Sequence, residues 1–254
     1  MSTLKDKVVV ITGGAGGIGE ATARMAHAQG ASVVITDLDS APVEAIAESL
    51  GERAVGLAVD VTRREDNERM VATAVERFGR LDAVFLNAGI EGEVGPFDSR
   101  SDSAWEKVLA VNVHGVRFGV EASLPALREA GGGSIVVTSS IAGVRGASGL
   151  SPYVSSKHAV VGMMRCLAAE LGPEGIRVNT LNPGPVDNRM MRSIEDQANP
   201  GHGDEVQKMF ASRIPLGRYV SNDECAAMAV FLFSDASGGC NGNTYMVDGG
   251  YCSQ

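Results

Sequence analysis

Along the 254-residue chain, short runs of β-branched and aliphatic residues alternate with longer stretches whose apolar positions recur every three to four residues. The short runs are residues 8–11, 32–36, 54–59, 83–86, 134–138 and 176–180, and most lack polar alternation. Strands apolar on both faces belong in a parallel sheet covered by helices. Between two of these runs Met70, Val71, Ala74, Val75 and Phe78 repeat at helical spacing, and Thr62-Arg63-Arg64-Glu65 has the form of a capping box opening that helix. Ser103-x-x-Glu106 and Ser221-x-x-Glu224 repeat the signal. The βαβα order predicts a doubly wound sheet with ligands beyond the carboxyl ends of its strands. Residues 187–212, polar and dotted with methionine, are the least patterned, and are expected to form a flexible substrate flap rather than a domain boundary.

Hydrophobic residues make up 44% and charged residues 21%, as in an ordinary folded domain. Lys and Arg (22) against Asp and Glu (31) give a net charge of -9. That balance disfavours nucleic-acid and anionic-membrane surfaces, which need a basic footprint. No stretch approaches a membrane span, and the first fourteen residues have too short an apolar run for a secretory leader. Cys166, Cys225, Cys240 and Cys252 contain no CxxC pair and read as free thiols in a reducing cytoplasm.

Thr12-Gly13-Gly14-Ala15-Gly16-Gly17-Ile18-Gly19 joins the first strand to the first helix. Such glycines permit a tight turn and let a pyrophosphate approach backbone N–H groups at the helix start. The run fits GxGxxG, GxxGxxG and GxxxGxG alike, so it does not choose a subfamily. Asp37 ends the second strand, where a carboxylate accepts hydrogen bonds from adenosine ribose hydroxyls and repels a 2′-phosphate. The bland alternative is a turn or helix cap, a task that Asp39 and Ser40 next door could take. No Arg or Lys lies in 13–19 or 36–40, so NAD(H) is expected over NADP(H).

Tyr153 and Lys157 stand four apart at the head of a segment that continues apolar through Val160, Met164, Leu167 and Leu171, so phenol and ammonium share a helix face. A phenol with a pKa near ~10 is a poor base at neutral pH; lowering it by about 2–3 needs roughly 3–4 kcal/mol, which a nearby ammonium can supply. Alone, YxxxK is a common pattern. His114, His158 and His202 show no metal-ligand spacing, and no metal is expected. Glu91, Arg145 and Arg189 follow motif segments and could face a substrate, but none is assigned a role.

Together these residues resemble the short-chain dehydrogenase/reductase family over essentially the whole chain. The matches run in order: Thr12, Gly13, Gly17 and Gly19 for TGxxxGxG; Asn87-Ala88-Gly89; Asn112; Ser140, thirteen residues before Tyr153; Tyr153 and Lys157; Asn182-Pro183-Gly184; and Val247-Asp248-Gly249-Gly250. The resemblance implies a single Rossmann-type α/β domain over residues 1–254, a seven-stranded parallel sheet with helices on both faces and the seventh strand near 243–247. It implies oxidoreduction of an alcohol or ketone with NAD(H). Tyr153 would act as acid/base, Lys157 would lower its pKa and hold the nicotinamide ribose, Ser140 would bind the reacting oxygen, and Asn112 would sustain a proton-relaying water. Ser139, its neighbour, is read as making a local backbone hydrogen bond.

For the cofactor, the resemblance implies contacts from Thr12, Gly13, Gly17, Ile18, Gly19, Asp37, Asp60, Val61, Asn87, Ala88, Gly89, Tyr153, Lys157, Pro183, Gly184 and Val186. Asp60 and Val61 would meet the adenine, and Val186 the nicotinamide amide. The family often has Thr where Asn188 stands, so Asn188 is a substituted carboxamide contact. A homotetramer is implied, with helices around 113–130 and 153–171 between subunits. Two other classes fit less well: a catalytically silent nucleotide sensor, which would not keep Ser140, Tyr153, Lys157 and Asn112 together, and an epimerase or dehydratase, which usually has further C-terminal sequence.

Overall fold

Val8 and Val10 of the first strand face one apolar layer and Val9 and Ile11 the other, and all four are buried. That alternation with apolar residues on both sides is the signature of a strand between two helical layers. A computed structural model describes residues 4–253 and contains seven such strands: β1 (Val8–Thr12), β2 (Ser32–Asp37), β3 (Ala54–Ala58), β4 (Ala83–Leu86), β5 (Gly133–Thr138), β6 (Ile176–Pro183) and β7 (Thr244–Val247). All pair in parallel, in the order β3-β2-β1-β4-β5-β6-β7. The order reverses between β1 and β4, which opens a crevice beyond their carboxyl ends.

The helices are α1 (Gly17–Ala28), α2 (Ser40–Leu50), α3 (Arg64–Phe78), α4 (Asp102–Leu109), α5 (Gly115–Glu129), α6 (Ser151–Leu171), α7 (Arg189–Ala198), α8 (Gly203–Ser212) and α9 (Asn222–Phe233). Residues of α1, α2 and α9 pack with Val9, Ile11 and Phe85 on one face; residues of α3, α5 and α6 pack with Val10, Val84 and Ile135 on the other. Each such buried aliphatic side chain contributes roughly 1.5–3 kcal/mol, so the two layers carry the stability on which the loops above them rest.

Sequence and structure differ at element ends. β1, β2 and β6 run one, one and three residues beyond the apolar runs, through Thr12, Asp37 and Asn182-Pro183. Polar residues at strand ends break the apolar pattern without breaking the ladder. Ser221 and Glu224 form the expected capping box. Thr62 and Glu65 do not: Arg63 precedes α3, and Thr62 donates both its N–H (2.9 Å) and its hydroxyl (2.7 Å) to Asp60. A carboxylate two residues back is the nearer acceptor and bends the turn the other way. In α4 Ser101, not Ser103, is the cap, accepting from Ala104 N at 3.2 Å.

Residues 187–212, expected as a flexible substrate flap, contain α7 and α8. The helical pattern is masked because a core position of α7 is Glu195, only 1% exposed. Its carboxylate accepts from Tyr219 Oη at 2.7 Å and from Arg192 Nη1 at 2.7 Å, and Arg192 Nη2 also bonds Asp187. Val186 and Val220, just ahead of α7 and α9, form a parallel bridge. No helix among the described residues is long and apolar enough to cross a membrane.

Candidate active site

The loop between β1 and α1 needs its glycines. Gly13 has φ +64°, and a Cβ there would stand 2.9 Å from Ala88 Cα. A Cβ on Gly19 would lie 2.1 Å from the Gly13 carbonyl oxygen. The amides of Gly17, Ile18 and Gly19, in the first turn of α1, have no intramolecular acceptor among the described residues, and Gly16 offers no capping side chain. Free N–H groups at the positive end of a helix form a cradle for an anion. A dinucleotide diphosphate fits it.

Asp37 closes one side of that cradle: its Oδ2 accepts from Ala15 N at 3.0 Å and its Oδ1 from Leu38 N at 2.8 Å. The helix cap is Asp39, which accepts from Ala41 N, so Asp37 is left to the loop. The other side is tied by Thr12, whose hydroxyl accepts from Asn87 N and Ala88 N, each at 3.0 Å. Asn87 donates to the carbonyls of Thr12 and Gly13 and accepts from Thr138 Oγ1. The side chains of Thr12 and Asn87 therefore hold the loops together and leave the backbone of 87–89 to face the crevice. Asp60 is likewise engaged by Thr62, while Val61 lines a cleft with Ala88 and Gly115.

α6 opens with Pro152, suited to a first helical turn. Tyr153 and Lys157 then point inward, 8% and 3% exposed, ahead of Val160, Met164 and Leu171 on the same face. Lys157 Nζ donates to the Thr138 carbonyl at 2.8 Å and lies 5.5 Å from the Tyr153 ring centroid. Ser140 Oγ accepts from Ala142 N at 3.1 Å, which leaves its proton free for a hydrogen bond with the Tyr153 oxygen. Asn182 Nδ2 fixes the Ser140 carbonyl at 2.8 Å. Ser139 points away as alternation requires, but its bond is not local: it donates to the carbonyl of Lys157 at 3.0 Å.

Burial sets the titration of the pair. It pushes the Tyr153 phenol up to about 12; the Ser140 bond works against this and the Glu91 carboxylate adds to it. Burial also pulls the Lys157 ammonium down to about 8. The expected lowering of Tyr153 by Lys157 is not found: burial dominates and the phenol is raised, because the spacing of two residues conveys their proximity and not their depth.

Asn112 lies in a π-helical turn, Ala110–His114, between α4 and α5. Its Oδ1 accepts from Ile90 N at 2.9 Å, and its Nδ2 donates to Ile90 O at 2.9 Å and Ser156 Oγ at 3.0 Å. β6 ends at Pro183, where Gly184 packs so closely on Asp248 that a Cβ would meet its Cα at 2.8 Å. Val186 is buried, with its carbonyl accepting from Asn188 N. Asn188 itself caps α7, accepting from Met191 N at 3.2 Å, with its Nδ2 left to donate. Ser156, Thr138 and Gln197 were not legible in advance; Ser156 alone left a trace, as a small polar residue on the buried face of α6. Arg145 stacks on Tyr251, Arg189 is exposed, and His114, His158 and His202 lie on the surface.

A family model described as enoyl-(acyl carrier protein) reductase matches residues 13–252. Levodione reductase of Leifsonia aquatica is 38% identical over 250 residues, covering 96% of this chain and 94% of that one. Cyclohexanol dehydrogenase of Acinetobacter sp. (strain SE19) is 35% identical over 252 residues, covering 98% and 96%. A crystal structure of levodione reductase superposes with a TM-score of 0.94 at 36% identity, covering 98% of each chain. With these matches over a Gly-rich crevice and a Ser140-Tyr153-Lys157 cluster, the chain belongs to the short-chain dehydrogenase/reductase family of oxidoreductases.

Proposed function

We propose that this oxidoreductase transfers hydride between NAD(H) and a secondary alcohol or ketone, with Tyr153 as the acid/base. The observation that carries the reading is the convergence of the half-buried Ser140 hydroxyl with the buried Tyr153 phenol and Lys157 ammonium at the carboxyl ends of β5 and β6. A bound nicotinamide supplies the hydride donor or acceptor. The protonated phenol of Tyr153 donates to a ketone oxygen that Ser140 also holds; in the oxidative direction its phenolate takes the hydroxyl proton. Lys157 holds the nicotinamide ribose, and Asn112 keeps the wall at Ile90 in place. The remaining lone pair of Asn112 Oδ1 accepts from the proton-relaying water.

The amides of Gly17, Ile18 and Gly19 take the diphosphate, Asp37 the adenosine ribose, Asp60 and Val61 the adenine edge, and Val186 and Asn188 the carboxamide. Asp37 selects NAD(H) over NADP(H), since it enters no ion pair among the described residues. The names of the relatives support a cyclic alcohol or ketone as substrate. A cytoplasmic homotetramer is our reading of the assembly. It is supported by the exposed stripe Ser155, Ala159, Gly162, Cys166 and Ala169 on α6, whose small side chains let a second helix approach. α7 and α8 act as a lid, with Gln197 reaching across to residues 92–94. A panel of alcohols and ketones that includes cyclohexanol and cyclohexanone, followed at the NADH absorbance, tests the proposal. Turnover of none, with NADH still bound, contradicts it and favours the silent sensor.

A further inference from the structure

The wall that follows β4 carries a carboxylate that the reaction above does not use. Glu91 lies two residues beyond Gly89, and a Cβ on Gly89 would stand 3.3 Å from both Lys157 Nζ and Asn112 Oδ1. Two residues span at most about 7 Å, which keeps the Glu91 backbone beside the catalytic pair. That backbone is fixed on both sides. Asn112 holds the N–H and the carbonyl of Ile90, each at 2.9 Å, while Gln197 accepts from Val94 N at 3.0 Å and donates to Gly92 O at 3.5 Å. The Glu91 side chain is half-buried and takes part in no hydrogen bond or ion pair among the described residues. Its charge nonetheless reaches the reacting group, since it raises the Tyr153 phenol.

A carboxylate only accepts hydrogen bonds, and shutting one into a closed site without a donor is unfavourable. We propose that Glu91 is a substrate subsite that accepts a hydrogen bond from a second donor, a hydroxyl or an ammonium, on the carbon next to the one that reacts. The substrate class is then a vicinal diol, an α-hydroxyketone or a vicinal amino alcohol, rather than a simple alcohol. This deepens the alcohol–ketone reading above and rests on it. A simple alcohol leaves the Glu91 carboxylate unpaired once water is excluded, so discrimination follows from the penalty as much as from the gain.

The test compares cyclohexanol, trans-1,2-cyclohexanediol and trans-2-aminocyclohexanol as substrates for the wild type, Glu91→Ala and Glu91→Gln with NAD. The wild type is expected to favour the diol or the amino alcohol over cyclohexanol in kcat/KM by about tenfold or more. Glu91→Ala should collapse that ratio to about one. Glu91→Gln keeps an acceptor oxygen without the charge. Retained diol preference in it identifies the hydroxyl as the donor, and loss of amino-alcohol preference identifies the ammonium. A wild type with no preference, or an unchanged ratio in Glu91→Ala, overturns the subsite and leaves the reaction standing. Failure of the wild type to oxidise any of the three overturns the subsite, and failure on the whole panel of alcohols and ketones as well contradicts the hydride-transfer reading itself.

Discussion

Asn112 donates from Nδ2 to Ser156 Oγ at 3.0 Å, and Ser156 donates in turn to the carbonyl of Tyr153 at 2.7 Å. One hydroxyl therefore joins the π-helical turn before α5 to the first turn of the helix that carries Tyr153 and Lys157. Ser156 is fully buried, so no water replaces it when it is removed. Ser156→Ala leaves the Asn112 amide without this acceptor, at a cost on the order of 1–3 kcal/mol. The expected result is a kcat lower by roughly tenfold, with NADH affinity little changed. Steady-state kinetics and a binding titration check it, and an unchanged kcat counts against the coupling.

Lys157 is a buried cation, and its replacement should stabilise the fold while removing activity. With its folded pKa near 8 and its unfolded value near 10.5, stability from this group is present above pH 10.5 and is lost as pH falls through 8. Lys157→Met should accordingly melt higher than the wild type at pH 7, by on the order of 1–3 kcal/mol of stability once the lost bond to Thr138 is counted. The advantage should shrink as pH rises from 8 towards 10.5. Thermal unfolding across that range checks both sign and window.

Cofactor choice follows from Asp37. Its two oxygens are held by Ala15 N and Leu38 N, which opposes rotation of the carboxylate into solvent. At about 4 Å and an effective dielectric near 20, a 2′-phosphate would meet repulsion on the order of 4 kcal/mol per charge pair. Even half of that gives roughly 30-fold discrimination. Kinetics with NAD(H) and NADP(H) at one pH and salt concentration should favour the former, and Asp37→Ala should narrow the gap. Equal kcat/KM values for the wild type would contradict the assignment.

The sheet, its helical cover and the positions of Tyr153 and Lys157 were legible because each rests on a repeating pattern: apolar runs, or two residues one helical turn apart. What escaped rests on single polar groups in unpatterned places. Glu195 occupies a core position of α7 as a carboxylate and so hides the helical pattern of that segment. Thr62 looks like a cap until Asp60 claims its hydroxyl. The burial that raises Tyr153 is a property of the elements that close over it, and neither depth nor closure is written in YxxxK.

Closure of the site should depend on Gln197, whose amide spans from α7 to the backbone of Gly92 and Val94. Hydrogen exchange across residues 187–212 and 92–94 should slow when cofactor and substrate are both bound. The shorter bond, from Val94 N, is worth about 1 kcal/mol, so its loss in Gln197→Ala should speed exchange and raise KM by roughly fivefold. Unchanged exchange in the wild-type ternary complex would contradict a lid.

The central claim, that Tyr153 is the acid/base of an alcohol–ketone interconversion, is tested most directly by Tyr153→Phe. The substitution removes one hydroxyl from a buried site and leaves α6 and the cofactor crevice in place. Single-substrate kinetics on a confirmed alcohol, alongside an NADH titration, should show turnover lower by roughly 100-fold or more with NADH binding retained. A variant that binds NADH and keeps most of the wild-type turnover would show that another group moves the proton.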